Sequence, residues 1–149
     1  MAEDISSGTF YAGGFFYNPR ARKVLLHKRD TKTKNSPNQW AFFGGLREGE
    51  EPPVQTFARE IKEELGIEFP LQSIHPLCDY FNPDFDTHRY VFYVVTEAPK
   101  SAMTLTEGED FDWLPLEEAF NLDLTKRTRQ DLTTFLVKLE KHVRASVES

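Results

Sequence analysis

Residues 44–67 read GGLREGEEPPVQTFAREIKEELGI, and this stretch decides how the rest of the chain is interpreted. It predicts a tight glycine turn, an acidic loop and then a short amphipathic helix. Pro52 and Pro53 suit the start of that helix, where a missing N–H costs little, and Gly66 suits a left-handed cap at its end. The apolar residues at helical spacing form one face, which we expect to be buried: Val54, Phe57, Ala58, Ile61 and Leu65.

Three carboxylates share another sector of the same helix, away from its apolar face. Glu60, Glu63 and Glu64 stand at positions i, i+3 and i+4, where like charges destabilise an isolated helix. A divalent cation would offset that repulsion, and carboxylate oxygens are ligands suited to Mg²⁺ or Mn²⁺. A solvated acidic face with Arg59 and Lys62 as neutralising neighbours explains the helix without a metal. The helix alone favours this second explanation, so the flanking residues have to decide.

The flanking residues complete a known spacing around the helix. The pattern G-x5-E-x7-R-E-U-x-E-E-x-G-U, where U is aliphatic, is matched at every fixed position by Gly45, Glu51, Arg59, Glu60, Ile61, Glu63, Glu64, Gly66 and Ile67. The stretch therefore resembles the signature of the Nudix (MutT-like) hydrolases. The resemblance implies an α/β (α+β) class with the Nudix fold, a mixed β-sheet sandwiched between helices in an α/β/α sandwich.

The resemblance also implies an activity. It is Mg²⁺-dependent hydrolysis of the pyrophosphate linkage of a nucleoside diphosphate linked to a group X, by a metal-activated water that attacks phosphorus. The implied metal ligands are Glu60, Glu63, Glu64 and the carbonyl of Gly44, with Mn²⁺ as a substitute for Mg²⁺. Glu60 is also a candidate general base, and the sequence does not separate that role from metal ligation.

Other residues of the family pattern lie outside the acidic helix. Glu107 stands six residues before Trp113, where an acid completes the metal site in MutT-like members. It is a candidate second base or distal ligand, with Glu109 and Asp110 as nearby substitutes. Arg29, at the end of a predicted strand, matches an Arg that often faces the substrate phosphates. A surface charge at a strand end explains Arg29 equally well.

Four residues of the signature are implied to orient or support the site. Arg59 is expected to orient the carboxylates through a bidentate contact, with Glu51 as its partner. An equal alternative makes Glu51 a structural residue that pins the loop to the helix. Gly45 and Gly66 are expected to be structural.

Composition favours a single domain over residues 1–149 and a cytoplasmic protein. Hydrophobic residues make up 39% of the chain and charged residues 28%, which is ordinary for a globular protein. The one cysteine, Cys78, excludes an internal disulfide and fits a reducing compartment. The polar N-terminal sequence does not resemble a signal peptide, and no apolar run is long enough to span a membrane. The net charge of −6 argues against nucleic acid or membrane partners. A small-molecule nucleotide is the expected partner, and a homodimer is left open.

The rest of the chain predicts strands at 9–17, 23–28, 40–43, 74–81 and 88–95, the first two antiparallel. Thr125 or Thr128 would cap a last helix, whose buried stripe is expected to contain Leu132, Phe135, Leu136, Leu139 and Val143. Lys126, Arg127 and Arg129 near its start have the wrong sign for the helix dipole. These three residues are therefore expected to contact a phosphate or an acidic neighbour, or to be surface residues with no assigned role.

Two functions from different classes compete. The alternative to an enzyme is a catalytically idle Nudix-fold module that binds nucleotides as a sensor. Such a module would be expected to lose acids of the signature, and all of them are present. The substrate stays open among nucleoside triphosphates, nucleotide sugars and ADP-ribose. An oxidised guanine is disfavoured, because Thr128 and its basic neighbours stand nearest to where some members use an Asn to read that base.

Overall fold

The computed structural model describes residues 9–32, 37–106, 108 and 110–148. Within these residues, seven strands form one sheet and three α-helices accompany it. The strands are β1 (Phe10–Asn18), β2 (Lys23–Lys28), β3 (Trp40–Ala41), β4 (Phe43–Leu46), β5 (Ile74–Asn82), β6 (Thr87–Val95) and β7 (Asp110–Pro115). The helices are α1 (Pro53–Leu65), α2 (Leu116–Ala119) and α3 (Lys126–Glu148).

The sheet is mixed and is built around β1. This strand runs parallel to β6 along one edge, and its other edge pairs antiparallel with β4 and then with β2. The β5–β6 hairpin closes one side of the sheet, while β3 and β7 both pair with β2. The mixed sheet and the antiparallel pairing of the first two strands confirm the predictions from the sequence.

Successive side chains of β1 enter two different cores, because neighbouring residues of a strand point to opposite faces of the sheet. Phe16 packs in the first core with Phe57 and Ile61 of α1. Phe15 packs in the second core with Phe135 of α3, at a ring-centroid distance of 4.9 Å. Helices α1 and α3 therefore cover opposite faces, which confirms the predicted sandwich of a mixed sheet between helices.

The glycine turn predicted before the helix is wrong. Gly44 and Gly45 lie within β4, where they pair with Gly13 and Ala12 of β1. Two adjacent glycines indicate a turn when only local sequence is considered, but β1 supplies a partner strand from far upstream and holds them extended. The predicted strand at 40–43 is divided between β3 and β4.

Helix α1 has the boundaries and the cap that the sequence predicts. It begins at Pro53 and ends at Leu65, and Gly66 takes a left-handed conformation with φ of 68°. The Gly66 N–H donates to the Lys62 carbonyl over 2.9 Å, which closes the last turn. The sharp end of α1 matters because it fixes the position of the acids in its last two turns.

Helix α3 agrees with the sequence at its start and differs at its far end. The Thr128 N–H donates to Thr125 Oγ1 over 3.4 Å, so Thr125 is the cap. Val143 was expected to be buried, but it is 58% exposed because the residues of α3 that pack on the second core end at Leu139. None of the helices in the described residues combines the length and the apolar character needed to cross a membrane.

Candidate active site

Arg59 lies at the centre of the carboxylates of the signature. Its Nε donates to Glu51 Oε2 over 2.7 Å and its second η nitrogen donates to Glu51 Oε1 over 3.1 Å, which makes a bidentate pair. Its first η nitrogen donates to Glu60 over 3.0 Å and to Glu63 over 3.2 Å. Glu48 is a further acid within 3.4 Å of the same guanidinium. One cation therefore faces four carboxylates, and an excess of negative charge remains in this cluster.

Glu51 joins the acidic loop to α1 through both of its carboxylate oxygens. Besides the Arg59 pair, it accepts the Thr56 hydroxyl over 2.9 Å and the Glu48 N–H over 3.1 Å. The hydrogen bond from Arg59 is the main reason why the pKa of Glu51 is lowered to about 2. The two roles expected for Glu51, partner of Arg59 and pin of the loop, are thus compatible in one geometry.

Glu60 lies directly against β4. A Cβ atom at Gly45 would overlap the Glu60 carboxylate, so this acid keeps its present position only with glycine at residue 45. The Glu60 side chain is 16% exposed, whereas that of Glu63 is 56% exposed and points toward solvent beside Arg59. The two acids therefore differ in environment although they stand one helical turn apart.

Glu64 is buried, with 7% of its surface exposed, which differs from the expectation that it lies off the core face. The helix packs so closely on the sheet that this sector of α1 faces β1 and β4 rather than solvent. Its negative charge contributes to raising the pKa of the Tyr11 phenol, although burial is the larger cause. Glu60 and Glu64 thus both face the sheet, and Glu64 also lines the cleft beside it.

The loop that precedes β7 is attached to the end of α1. The Thr106 hydroxyl donates to the Glu63 carbonyl over 2.8 Å, and the Thr106 N–H donates to the Glu64 carbonyl over 3.0 Å. The predicted distal acid Glu107 and its substitute Glu109 lie outside the described residues. Asp110 begins β7 and pairs with Lys100 over 3.7 Å.

The donor chemistry fits a divalent cation. Among the described residues, no three acidic, histidine or cysteine side chains stand close enough together to hold a metal ion as they are arranged. The predicted ligands nevertheless share the chemistry that Mg²⁺ and Mn²⁺ prefer, since all are carboxylate oxygens or the backbone carbonyl of Gly44. The negative excess around Arg59 is a second property of this site that favours a cation.

A cleft of about 700 Å³ opens beside these residues and reaches the start of α3. Glu64, Gly44 and Arg29 line it together, although they come from α1, β4 and the end of β2. The Arg29 N–H donates to the Gln39 carbonyl over 2.9 Å, which holds the strand end in place. Three predicted site residues thus meet at one cleft, while Arg59, Glu51 and Glu63 form the neighbouring charge cluster.

Sequence reasoning missed a second set of residues at this cleft. Arg89 of β6 donates from Nε to Asp131 Oδ2 of α3 over 2.8 Å, and both side chains are buried. The Tyr80 hydroxyl donates to the other oxygen of Asp131 over 2.8 Å. The guanidinium of Arg89 lies 4.7 Å from the ring centre of Tyr11. The available signal was a charged residue inside the apolar strand sequence HRYVFYVV, because a buried charge needs a partner.

The basic residues at the start of α3 contact an acidic neighbour. Lys126 and Arg127 reach Asp84 over 3.2 and 3.0 Å, and these hydrogen bonds lower the pKa of Asp84. Arg129 donates to the backbone carbonyls of Phe120 and Leu122. Asp84 in the β5–β6 turn therefore balances the positive charge at this helix start. The contact holds the turn beside the cleft, which Asp84 also lines.

Comparison with known proteins agrees with the geometry. The NUDIX domain family model matches residues 10–136. The nucleoside triphosphatase NudI of Klebsiella pneumoniae subsp. pneumoniae is 34% identical over 109 residues, which cover 65% of this chain and 76% of that protein. NudI of an Enterobacter species is 28% identical over 121 residues, covering 73% and 84%.

Solved structures agree on the fold. The NUDIX domain of Shewanella oneidensis NrtR, complexed with ADP ribose, superimposes with a TM-score of 0.69 at 21% identity, covering 88% of this chain and 86% of that one. The MutT NUDIX hydrolase of Burkholderia pseudomallei gives a TM-score of 0.60 at 26% identity, covering 83% and 95%. Because the family model spans most of the chain and the fold agrees, this protein belongs to the Nudix (MutT-like) hydrolase family.

Proposed function

We propose that this enzyme hydrolyses the pyrophosphate linkage of a nucleoside triphosphate with the help of Mg²⁺. The observation that carries the proposal is that Glu64, Gly44 and Arg29 line one nucleotide-sized cleft, beside a carboxylate cluster with excess negative charge. The NudI relatives, which are named nucleoside triphosphatases, favour a triphosphate over a nucleotide sugar or ADP-ribose.

Glu60, Glu63, Glu64 and the Gly44 carbonyl are the groups that would hold Mg²⁺, with Mn²⁺ as a substitute and Glu107 as a distal ligand. When bound, the cation supplies charge for the phosphate oxygens and lowers the pKa of the attacking water. Phosphoryl transfer depends mostly on positioning and charge stabilisation, so an array of acids held by the fold is what the reaction requires.

Arg59 orients the acids in this proposal and does not contact the substrate. Its bidentate pair with Glu51 fixes the guanidinium, and the remaining N–H groups then hold Glu60 and Glu63 at set positions. Glu60 and Glu107 are the two candidates for the general base that accepts the proton of the attacking water. Arg29 is the candidate contact for the phosphates, because its side chain lines the cleft that Glu64 also lines.

The idle nucleotide-binding module is the weaker alternative. Every acid of the signature is kept, and Arg59 contacts Glu51, Glu60 and Glu63 at once. A module that only binds nucleotides would not need this arrangement of acids. A single domain over residues 1–149, a cytoplasmic location, the absence of nucleic acid partners and a homodimer stay predictions from the sequence.

A product-resolved screen tests the proposal. The full chain would be incubated with nucleoside triphosphates, nucleotide sugars and ADP-ribose in the presence of Mg²⁺ or Mn²⁺, and both products of each reaction would be identified. We expect a nucleoside monophosphate and pyrophosphate from triphosphates, with no turnover after chelation of the metal. Tight binding of nucleotides without turnover under either metal would instead support the idle module.

A further inference from the structure

The guanidinium of Arg89 offers unused donors to the cleft. Its side chain is 11% exposed, yet within the described residues the bond from Nε to Asp131 is the only hydrogen bond that the group makes. Within the described residues, the η nitrogens of Arg89 make no hydrogen bond and are not enclosed by protein atoms. Because Arg89 lines the cleft, these nitrogens are accessible from it. A nearly buried guanidinium with unpaired N–H donors is suited to bind a hydrogen-bond acceptor of a ligand.

The position and the charge of this guanidinium are both fixed. Asp131 is fully buried and balances the positive charge, while the Tyr80 hydroxyl occupies the second oxygen of Asp131. The rings of Tyr11 and Phe42 lie 4.7 and 5.8 Å from the guanidinium carbon. Arg89 is therefore a rigid donor fork whose positive charge Asp131 already balances, so a neutral acceptor can bind it without leaving a buried charge unpaired.

We propose that Arg89, held by Asp131, determines substrate specificity by donating its η N–H groups to a carbonyl oxygen of the nucleobase. This inference rests on the proposed function, because it assumes that the cleft binds a nucleotide whose phosphates lie at the Glu64 end. Arginine forks recognise base acceptors such as O6 and N7 of guanine. Guanine, cytosine, uracil and thymine carry a carbonyl oxygen, and adenine does not. The enzyme therefore prefers carbonyl-bearing bases to adenine.

The β5–β6 turn provides an independent reason to place a base here. Phe85 lies in this turn, lines the same cleft and is 60% exposed. An exposed aromatic ring at a cleft mouth is a stacking surface that accepts any base, because every base has a flat π face. Stacking on Phe85 would supply affinity without selectivity, while Arg89 supplies the selectivity.

Equilibrium binding tests this inference without relying on turnover. Calorimetric titrations would use non-hydrolysable triphosphate analogues of guanosine, cytidine, uridine and adenosine with Mg²⁺ and the full chain. We expect the three carbonyl-bearing analogues to bind about tenfold more tightly than the adenosine analogue, the discrimination that one good base contact gives. Equal or tighter binding of the adenosine analogue would overturn the inference.

Two variants assign the discrimination to Arg89. Arg89→Lys keeps the charge but loses the planar fork, and the double variant Arg89→Met with Asp131→Asn removes the guanidinium without leaving a buried charge unpaired. In either variant, the gap between carbonyl-bearing and adenosine analogues should shrink to about twofold through weaker binding of the carbonyl-bearing ones. Arg22→Lys is the matched control, because it makes the same substitution at an exposed arginine that pairs with Glu117, and it should keep the gap.

The outcomes separate this inference from the proposed function. A gap that persists in a folded Arg89 variant overturns the base contact. An equal loss of affinity for all four analogues also overturns it, since that result would assign Arg89 to the phosphates. A gap that depends on Arg89 in a protein that hydrolyses no nucleotide would support the inference and contradict the proposed activity alone.

Discussion

Arg59 Nε and Glu51 Oε2 lie 2.7 Å apart and join the acidic loop to the middle of α1. The pair spans eight residues, so it closes the loop between β4 and the helix rather than bracing the helix itself. Because the same guanidinium also binds Glu60 and Glu63, the position of the loop and the position of the acids are set by one side chain.

Stability should fall in acid because of Glu51. Its pKa is about 2 in the folded protein against an ordinary value of 4.5, so the folded state binds this proton less readily than the unfolded state. The contribution of Glu51 to stability is therefore complete above pH 4.5 and is lost as the pH falls toward 2. Urea unfolding from pH 6 down to about pH 2.5 would measure it.

Glu51→Gln should flatten the pH dependence of the unfolding free energy. The glutamine amide does not ionise in this pH range, so its contact with Arg59 does not change with pH. Glu50→Gln is the matched control, since the Glu50 side chain is 99% exposed and lies next in sequence. A Glu51→Gln variant with the same pH dependence as the parent would contradict this assignment of the pKa.

Glu64→Gln should lower kcat/KM by about 10²- to 10³-fold, the loss typical for removal of one charge-stabilising group. Glutamine keeps the shape of this buried side chain, so the fold and its melting temperature should change little. The measurement is turnover with Mg²⁺ on the best triphosphate from the screen. Glu68→Gln, an exposed acid just beyond the helix, should match the parent, and near-parental turnover of Glu64→Gln would remove the assignment.

The sequence predicted those features of the fold and the site that depend on contacts between residues close in sequence. The boundaries of α1 and its Gly66 cap follow from periodicity and a single residue, and both were predicted. The strand that contains Gly44 and Gly45 was missed, because its partner β1 lies far upstream. Arg89 and Asp131 were missed for the same reason, since 42 residues separate a pair that only the packing of β6 against α3 brings together.

Glu107→Gln should lower kcat while leaving the fold unchanged. Thr106 donates hydrogen bonds to the end of α1 through its hydroxyl and its N–H, which attaches the loop before β7 to the helix of the proposed metal ligands. Steady-state kinetics over a range of Mg²⁺ concentrations would show a lower kcat and a weaker dependence on metal. Glu109→Gln is the comparison variant. If Glu107→Gln behaved like the parent, the distal role would pass to Glu109 or Asp110.

Asp131→Leu alone should destabilise the protein by about 3–5 kcal/mol, because it leaves the buried guanidinium of Arg89 without its partner. The double variant Arg89→Met with Asp131→Leu should recover most of that loss, since an apolar pair of similar volume needs no charge compensation. Urea unfolding of both single variants and the double variant would give the coupling energy. Additive effects of the two substitutions would show that the pair is not energetically coupled.

Gly45→Ala should impair catalysis by moving Glu60. A Cβ atom at this position overlaps the Glu60 carboxylate, so the acid has to turn away from β4 or the helix has to shift outward. A displacement of about 1 Å at a catalytic group can cost about 10²-fold in rate, and we expect a loss of that order in kcat/KM.

Gly49→Ala is the control. It has φ of 59°, and among the described residues other than its chain neighbours no atom lies within 4 Å of the added Cβ. It should therefore lower the unfolding free energy by about 1 kcal/mol and keep full turnover. Equal turnover in both variants would mean that the contact between Glu60 and Gly45 does not position the acid for the reaction.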